Sequence, residues 1–164
     1  MIPAKLNIGS GNDFQQPGYY NLDLRRTSKG LSVQSDARAL PIKSEAIQEI
    51  ISFHLVEHVG MVELVPMLKD WCRVLKRGAA IKIECPDFDG SVKQYLEADE
   101  KSRGRCLKII FGFQPVDYHY NGLNQKRLKD AMTQAGFVNV KPGVPTRRIF
   151  GPQEPLLRME GRKP

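Results

Sequence analysis

The chain has 164 residues, of which 41% are hydrophobic and 26% charged, and its net charge is +7 at pH 7. This length fits one domain, residues 1–164, and no apolar run approaches the roughly 18 residues that a membrane span needs, so we expect no membrane partner. The three cysteines are odd in number and widely spaced, and no signal peptide precedes the first elements, which predicts reduced thiols in a cytoplasmic protein. The positive charge favours an acidic partner and leaves nucleic acid open.

The first predicted strand begins at Lys5 and runs directly into the turn Gly9-Ser10-Gly11. Two glycines allow positive φ and let a ligand approach main-chain N–H groups closely. In open α/β sheets, ligands bind beyond the carboxyl ends of the strands, where this turn lies. The second predicted strand, 19–24, follows after only about ten residues, which leaves little room for a crossover helix. The sequence therefore predicts a ligand site at the turn after the first strand, and a shortened N-terminal half of the domain that lacks its first crossover helix.

Strands and helices alternate in the rest of the chain. Further strands are predicted at 31–35, 47–53, 79–85, 137–140 and 156–161, and helices at 64–75, from 89 onward, around 107–111, and at 126–134. Lys76–Gly78 is expected to close the first helix, Asp89 to cap the second, and Gly104 to interrupt the helical region that follows. The alternation indicates a single α/β domain with a mostly parallel sheet.

Four segments resemble, in order and spacing, those of class I, Rossmann-like S-adenosylmethionine (SAM)-dependent methyltransferases of the small free-standing bacterial type. They are Leu6–Gly11, Asn21–Asp23, Asp36–Pro41, and His54–His58 together with Arg73–Gly78. The resemblance covers nearly the whole chain. It implies a three-layer α/β fold whose mostly parallel sheet has an antiparallel last strand beside the fifth. It also implies SAM as cofactor and methylation as the reaction.

The resemblance also implies where the cofactor binds. The expected contacts are Ile8, Gly9, Ser10, Gly11, Asp23, Leu24, Asp36, Ala37, Phe53 and His54. Asp23 can accept both ribose hydroxyls, Asp36 can accept from the adenine amino group, and Leu24 and Phe53 can sandwich the adenine. Two structural alternatives stay open, since Asp36 can simply cap the next turn and Leu24 can belong to the core.

His54 and His119 are the candidate catalytic residues, because transfer to a hydroxyl benefits from a base whose pKa lies near neutrality. His54 should lie near the methyl end of the cofactor, where orienting the cofactor is its alternative role. Tyr19, Tyr118 and His119 are expected to contact the substrate, since aromatic rims suit sugars and planar rings. A sugar or other small-molecule hydroxyl is the acceptor favoured by the resemblance alone.

Two other enzyme classes are disfavoured. A nicotinamide enzyme needs a third glycine where Phe14 stands, and an acidic residue later than Asp23. The residues His54-x-x-Glu57-His58 match the H-x-x-E-H pattern of inverted zinc peptidases. Such a short match arises by chance and falls at the end of a predicted strand rather than within a helix, so no metal ligand is predicted.

The alternative function is a module of the same fold that binds SAM or nucleic acid without turnover. Enzymes of this appearance often cover the acceptor with a helix before the first strand, and here the chain begins almost at that strand. We therefore expect either a large acceptor that covers the site or a second copy of the chain, and self-association follows from the second case.

Overall fold

The computed structural model describes residues 4–26, 30–113, 115, 117–149 and 151–164. Its strands are β1 (Lys5–Ile8), β2 (Tyr20–Asp23), β3 (Val33–Gln34), β4 (Ile47–Phe53), β5 (Leu75–Pro86), β6 (Val138–Pro142) and β7 (Leu156–Arg162). Its helices are α1 (Met61–Val74), α2 (Phe88–Glu97), α3 (Glu100–Phe111) and α4 (Gln125–Gln134), and a single 3₁₀ turn spans Val56–His58. Every described helix falls short of the length and apolar character that a membrane crossing requires.

These strands form one sheet in the order β3-β2-β1-β4-β5-β7-β6. The pairs among β1 to β5 are parallel, whereas β7 runs antiparallel to both β5 and β6. This confirms the predicted fold class, including the antiparallel last strand beside the fifth. The carboxyl ends of β1, β2, β3 and β4 consequently share one edge of the sheet.

One face of the sheet is apolar and packs against α1 and α4. The strands supply Leu6, Ile8, Leu22, Ile50, Ile81, Ile83 and Met159 to this core, and the helices supply Leu64, Met67, Leu68, Trp71, Leu128 and Met132. Because side chains alternate along a strand, all the strand residues of this set point to the same side. The apolar spacing that predicts α1 and α4 therefore marks the side chains that cover the sheet.

The opposite face carries charged side chains that pair with each other, three of the pairs across neighbouring strands and one, Arg158–Glu160, within β7. The ion pairs are Lys5–Glu49 (3.3 Å), Lys82–Glu49 (2.6 Å), Arg158–Glu84 (3.0 Å) and Arg158–Glu160 (2.8 Å). Within the described residues, the connections from β1 to β4 contain no helix that packs on this face. In the part of the chain that the structure describes, the N-terminal half thus lacks a helix on this face, and the charged side chains there are neutralised by ion pairs with each other.

The connection between β6 and β7 is fastened to this charged face by Glu84. The Glu84 carboxylate is fully buried, and it accepts hydrogen bonds from Thr146 N (2.8 Å), Thr146 Oγ1 (2.7 Å) and Arg147 N (2.9 Å). It also pairs with Arg158, so that charge and hydrogen bonds are both satisfied. This fixes the path of residues 143–149 toward the carboxyl edge of the sheet.

Several predicted boundaries are wrong, each for a local reason. Helix α1 ends at Val74, because the pairing of β4 with β5 jumps from Leu75 to Ala80 and the residues between form a bulge with Gly78 at φ 75°. The cap of α2 is Asp87 rather than Asp89. Helix α3 continues through Gly104, since a glycine costs an exposed helix only about 1 kcal/mol.

We predict that Glu84→Gln lowers the free energy of unfolding by about 3 kcal/mol, because the largely buried Arg158 guanidinium loses its fully buried charge partner and keeps only the more exposed Glu160. Urea denaturation followed by the fluorescence of Trp71, the single tryptophan, measures this change. Glu160→Gln is the matched control, since it removes a more exposed carboxylate from the same arginine and should cost less than about 1 kcal/mol. Equal losses in the two variants would contradict the role assigned to Glu84.

Candidate functional site

A cavity of about 500 Å³ opens beyond the carboxyl ends of β1 to β4. Its walls come from the turn after β1, the end of β2, residues 35–38 after β3, and residues 54–59 after β4. The segment after α3 adds Phe113, Asp117 and His119, and Ile149 comes from the β6–β7 connection. The cavity therefore stands where the topology of an open α/β sheet places a ligand.

The turn after β1 needs glycine at two positions for different reasons. Gly9 has φ 73°, and a Cβ atom there would lie 2.8 Å from the Leu55 side chain. Gly11 has φ 45°, but a Cβ atom there would meet open space. The first glycine thus permits close packing against the segment after β4, and the second permits the left-handed backbone alone.

Asp23 holds a carboxylate at the cavity wall in a fixed orientation. Its Oδ2 accepts a hydrogen bond from Gly11 N (2.8 Å), and its Oδ1 accepts one from Arg25 N (2.8 Å). Each carboxylate oxygen keeps a further acceptor position. The side chain can therefore accept two more hydrogen bonds from a vicinal diol without changing its conformation.

Asp36 both closes a local turn and borders the cavity. Its carboxylate accepts hydrogen bonds from Arg38 N (2.8 Å) and Arg38 Nη2 (2.7 Å), while Arg38 Nη1 also pairs with Glu63 (2.9 Å). The hydrogen bonds from Arg38 hold the pKa of Asp36 below its ordinary value. Ala37 follows at the wall, and its carbonyl accepts from Trp71 Nε1 (2.8 Å), which ties this segment to the core.

Of the remaining residues that are expected to contact the cofactor, some line the cavity and others do not. Leu24 lines the cavity with 60% of its surface exposed, so it is not a core residue. Ile8 and Phe53 are buried, as is Ser10, and none of the three contributes to the described wall. Phe14 takes the wall position instead. Sequence reasoning missed it because Phe14 entered only as the residue that breaks a dinucleotide motif.

Phe14 links the turn after β1 to the residues that end β4. Its ring stacks on His54 at 5.2 Å between centroids with an interplanar angle of 13°, and lies 6.0 Å from Phe53. On the far side, the Arg147 guanidinium lies 5.7 Å from the centre of the Phe53 ring. These contacts connect the turn after β1 to the β6–β7 connection, past the carboxyl end of β4.

His54 is held at both ring nitrogens. Its Nε2 lies 2.9 Å from the carbonyl oxygen of Arg147, and its Nδ1 lies 3.4 Å from Glu57 Oε1. Burial lowers the pKa of His54, but the Glu57 carboxylate outweighs burial and raises the pKa above its ordinary value. His54 has φ 49° and a side chain only 5% exposed, and it lines the cavity.

The cavity wall also contains a cluster of three side chains that offer ligand atoms, Glu57, His58 and His119. One ligand atom from each lies within 4.8 Å of the others, and no further such cluster occurs in the described residues. The two imidazole rings meet edge to face at 4.8 Å between centroids. Sequence reasoning paired His54 with His58 and predicted no metal ligand; the structure brings His119 into the cluster in place of His54.

The two tyrosines predicted to contact substrate lie outside the described wall. Tyr19 stands at the amino-terminal edge of the sheet, where its hydroxyl donates to Glu49 Oε2 (2.9 Å). Burial and the hydrogen bond to Glu49 raise the pKa of Tyr19 to about 12. Tyr118 stacks on Tyr120 at 5.9 Å, and its neighbours Asp117 and His119 line the cavity instead.

Comparison with solved structures identifies the fold. A SAM-dependent methyltransferase of Thermotoga maritima, a possible histamine N-methyltransferase, matches with TM-score 0.68 and 18% identity over 98% of this chain and 82% of its own. A SAM-dependent methyltransferase of Methanosarcina mazei matches with TM-score 0.68 and 15% identity over 99% of this chain and 93% of its own.

A possible exported protein of Bordetella parapertussis matches with TM-score 0.64 and 12% identity over the whole chain, which spans 63% of that protein's length. No protein-family model matches the sequence, and no curated protein matches it either. The chain has the fold of class I SAM-dependent methyltransferases.

We predict that Gly9→Ala lowers the free energy of unfolding by about 3 kcal/mol, through both a left-handed backbone and a clash with Leu55. Gly11→Ala is the matched control. It places alanine in a left-handed backbone conformation without a steric clash, so it should lower the free energy of unfolding by about 1 kcal/mol. Urea denaturation of both variants measures the difference. A larger loss for Gly11→Ala would show that Leu55 does not pack against the turn.

Proposed function

We propose that this protein transfers a methyl group from SAM to a hydroxyl of a sugar or other small molecule. The observation that carries the proposal is the Asp23 carboxylate, fixed by main-chain N–H groups beside the Gly9–Gly11 turn. A carboxylate at the end of β2 is suited to a ribose diol. The fold of the structural neighbours supports the same reaction class.

The residues of the cavity wall offer a suitable contact to each part of SAM: the ribose, the adenine and the methionine. Asp23 offers acceptors to the ribose, and the exposed side chain of Leu24 offers apolar surface to one side of an adenine. Asp36 and Ala37 border the same region, and the Gly9–Gly11 turn offers space to the methionine part. A volume of about 500 Å³ is within the range of ordinary cofactor pockets, roughly 300–1,000 Å³.

SAM supplies an electrophilic methyl group on a sulfonium. The chain must then hold the acceptor oxygen in line with that group at about 3 Å and keep water away. As the methyl group binds to the acceptor oxygen, the hydroxyl proton must leave. The sulfur–methyl bond of SAM breaks as the new bond forms, and the proton passes to water in the cavity or to an imidazole of the Glu57–His58–His119 cluster, which lines it.

The β6–β7 connection contributes to water exclusion. Glu84 fixes Thr146 and Arg147, the Arg147 carbonyl holds His54, and Ile149 reaches the cavity wall. This chain of contacts joins the charged face of the sheet to the site. We infer that residues 143–149 act as a fixed cover for one side of the bound cofactor.

Three further expectations remain part of the proposal. The cytoplasm agrees with the three free cysteines Cys72, Cys85 and Cys106. Nucleic acid remains a candidate partner because of the net charge of +7. Self-association would place a second copy over the acceptor side of the cavity.

We predict that S-adenosylhomocysteine binds the wild-type protein and that Asp23→Ala weakens this binding about tenfold or more, because two hydrogen bonds to a charged acceptor are lost. Isothermal titration calorimetry measures the affinity, and circular dichroism verifies folding. Asp130→Ala is the control, since Asp130 pairs with Lys126 on the surface of α4. Unchanged affinity in Asp23→Ala would contradict the cofactor site.

Turnover separates the enzyme from a binding module. The wild-type protein is incubated with SAM and a panel of sugar and nucleotide-sugar hydroxyl acceptors, and release of S-adenosylhomocysteine is quantified by mass spectrometry. We expect acceptor-dependent release. Tight binding of S-adenosylhomocysteine without release over the whole panel would favour the non-catalytic alternative.

A further inference from the structure

Two histidines from distant parts of the chain face one buried carboxylate at the acceptor end of the cavity. His58 belongs to the 3₁₀ turn after β4, and His119 lies in the segment between α3 and α4. Each brings a ligand atom within 4.8 Å of a Glu57 carboxylate oxygen and of each other. We propose that Glu57, His58 and His119 bind a divalent transition metal ion.

Hydrogen bonds set the tautomer of both imidazoles. His58 Nδ1 lies 2.9 Å from the carbonyl oxygen of Tyr118, and His119 Nδ1 lies 2.9 Å from the carbonyl oxygen of Ile109. A carbonyl oxygen only accepts, so Nδ1 carries a proton in each ring, and in the neutral imidazole Nε2 keeps its lone pair. Metal-binding histidines commonly have this arrangement, in which the second ring nitrogen donates to a carbonyl or carboxylate.

Asp117 strengthens the arrangement around His58. Its Oδ1 lies 3.2 Å from His58 Nδ1, which gives that nitrogen a carboxylate as well as a carbonyl acceptor. Asp117 also lines the cavity, although it is not one of the three ligating residues. A carboxylate behind a ligating imidazole increases the basicity of the ring and its affinity for a cation.

The buried Glu57 carboxylate has His54 as an ion-pair neighbour but receives no hydrogen bond. Glu57 is only 2% exposed, and within the described chain neither of its carboxylate oxygens accepts a hydrogen bond. His54 Nδ1, at 3.4 Å, is close enough for an ion pair but leaves both oxygens without a donor. A buried carboxylate of this kind is costly unless it is paired with a cation or coordinates a metal ion.

The backbone holds the ligands together before any ion binds. The carbonyl oxygen of Glu57 accepts hydrogen bonds from Tyr120 N (2.8 Å) and Asn121 N (3.1 Å). His119 N in turn donates to the carbonyl oxygen of Phe111 (3.1 Å). The segment with His119 is thus fastened to the 3₁₀ turn on one side and to the end of α3 on the other, and little reorganisation is needed on binding.

The ligand types restrict the ion. Two imidazoles and one carboxylate suit Zn²⁺, Fe²⁺, Co²⁺ or Mn²⁺ and leave coordination positions for other ligands, whereas Ca²⁺ and Mg²⁺ prefer oxygen donors. All three ligating residues line the cavity, so the open positions face it. On the proposed methyl transfer, the acceptor hydroxyl would take one of these positions and the ion would lower its pKa, so that its proton passes to water in the cavity as the oxygen–methyl bond forms and the sulfur–methyl bond of SAM breaks.

Cobalt(II) tests the site directly. The purified protein is first freed of metal with a chelator and then titrated with Co²⁺, while the visible absorption spectrum and equilibrium dialysis report coordination and stoichiometry. We expect about one ion per chain and a nitrogen- and oxygen-type spectrum, with displacement by Zn²⁺. His58→Ala and His119→Ala should each weaken Co²⁺ binding about 100-fold or more.

Two further variants keep the test decisive. Glu57→Gln should also lose Co²⁺, and the half-buried His58→Ala and His119→Ala remain informative if the substitution of the buried Glu57 does not fold. Cys72→Ser is the control for thiol binding, because Cys72 is the one cysteine of the three that is not fully buried. It should bind Co²⁺ as the wild-type protein does.

Absence of Co²⁺ binding by the wild-type protein, or binding that survives both histidine substitutions, would overturn the metal site. The result is separable from the proposed function, because S-adenosylhomocysteine affinity is measured on the same samples. Binding of S-adenosylhomocysteine without Co²⁺ overturns the metal inference alone. Binding of Co²⁺ without S-adenosylhomocysteine overturns the proposed function alone.

Discussion

A pair of buried asparagines holds the loop on which the cavity depends. Asn7 Nδ2 donates to Asn21 Oδ1 (2.8 Å) and to the carbonyl oxygen of Phe14 (2.7 Å), so β1, β2 and the loop between them are joined at one point. Gly9 N and Gly11 N add bonds to Leu22 O and to the Asp23 carboxylate. In this chain, side-chain amides fix a wall that a crossover helix would otherwise position. Both asparagines are buried, and these hydrogen bonds of the Asn7 Nδ2 group offset part of the cost of burying the amides.

The two faces of the sheet show how a short N-terminal half remains stable. Apolar strand residues need the cover that α1 and α4 provide, whereas the opposite face has Glu49 and Glu84 at the centre of cross-strand ion pairs. Those carboxylates are well shielded, and Glu84 also accepts the main chain of residues 146 and 147. The buried Glu84 carboxylate, which forms an ion pair on the sheet, therefore also holds the β6–β7 connection against His54. Stability and site geometry share one set of interactions.

Local patterns predicted the parts of the site that depend on a strand and the turn after it. Gly9, Asp23, Asp36 and Ala37 all follow this rule, since the end of a parallel strand fixes which edge of the sheet they occupy. Tyr19 lies on the other edge, because it precedes β2 instead of following it. The Glu57–His119 contact joins residues far apart in the chain through hydrogen bonds of the backbone, and no short motif encodes it. The H-x-x-E-H pattern contains Glu57 and His58 of this cluster, whereas His119 comes from the segment after α3.

The proposed function depends above all on the carboxylate at the end of β2 and the glycine turn beside it, which we propose bind the adenosyl part of SAM. A crystal structure of the protein with S-adenosylhomocysteine tests it most directly. We predict that both ribose hydroxyls lie within hydrogen-bonding distance of the Asp23 carboxylate, with the adenine between Leu24 and Ala37. A ligand bound elsewhere on the molecule, or a ribose that does not contact Asp23, would contradict the claim.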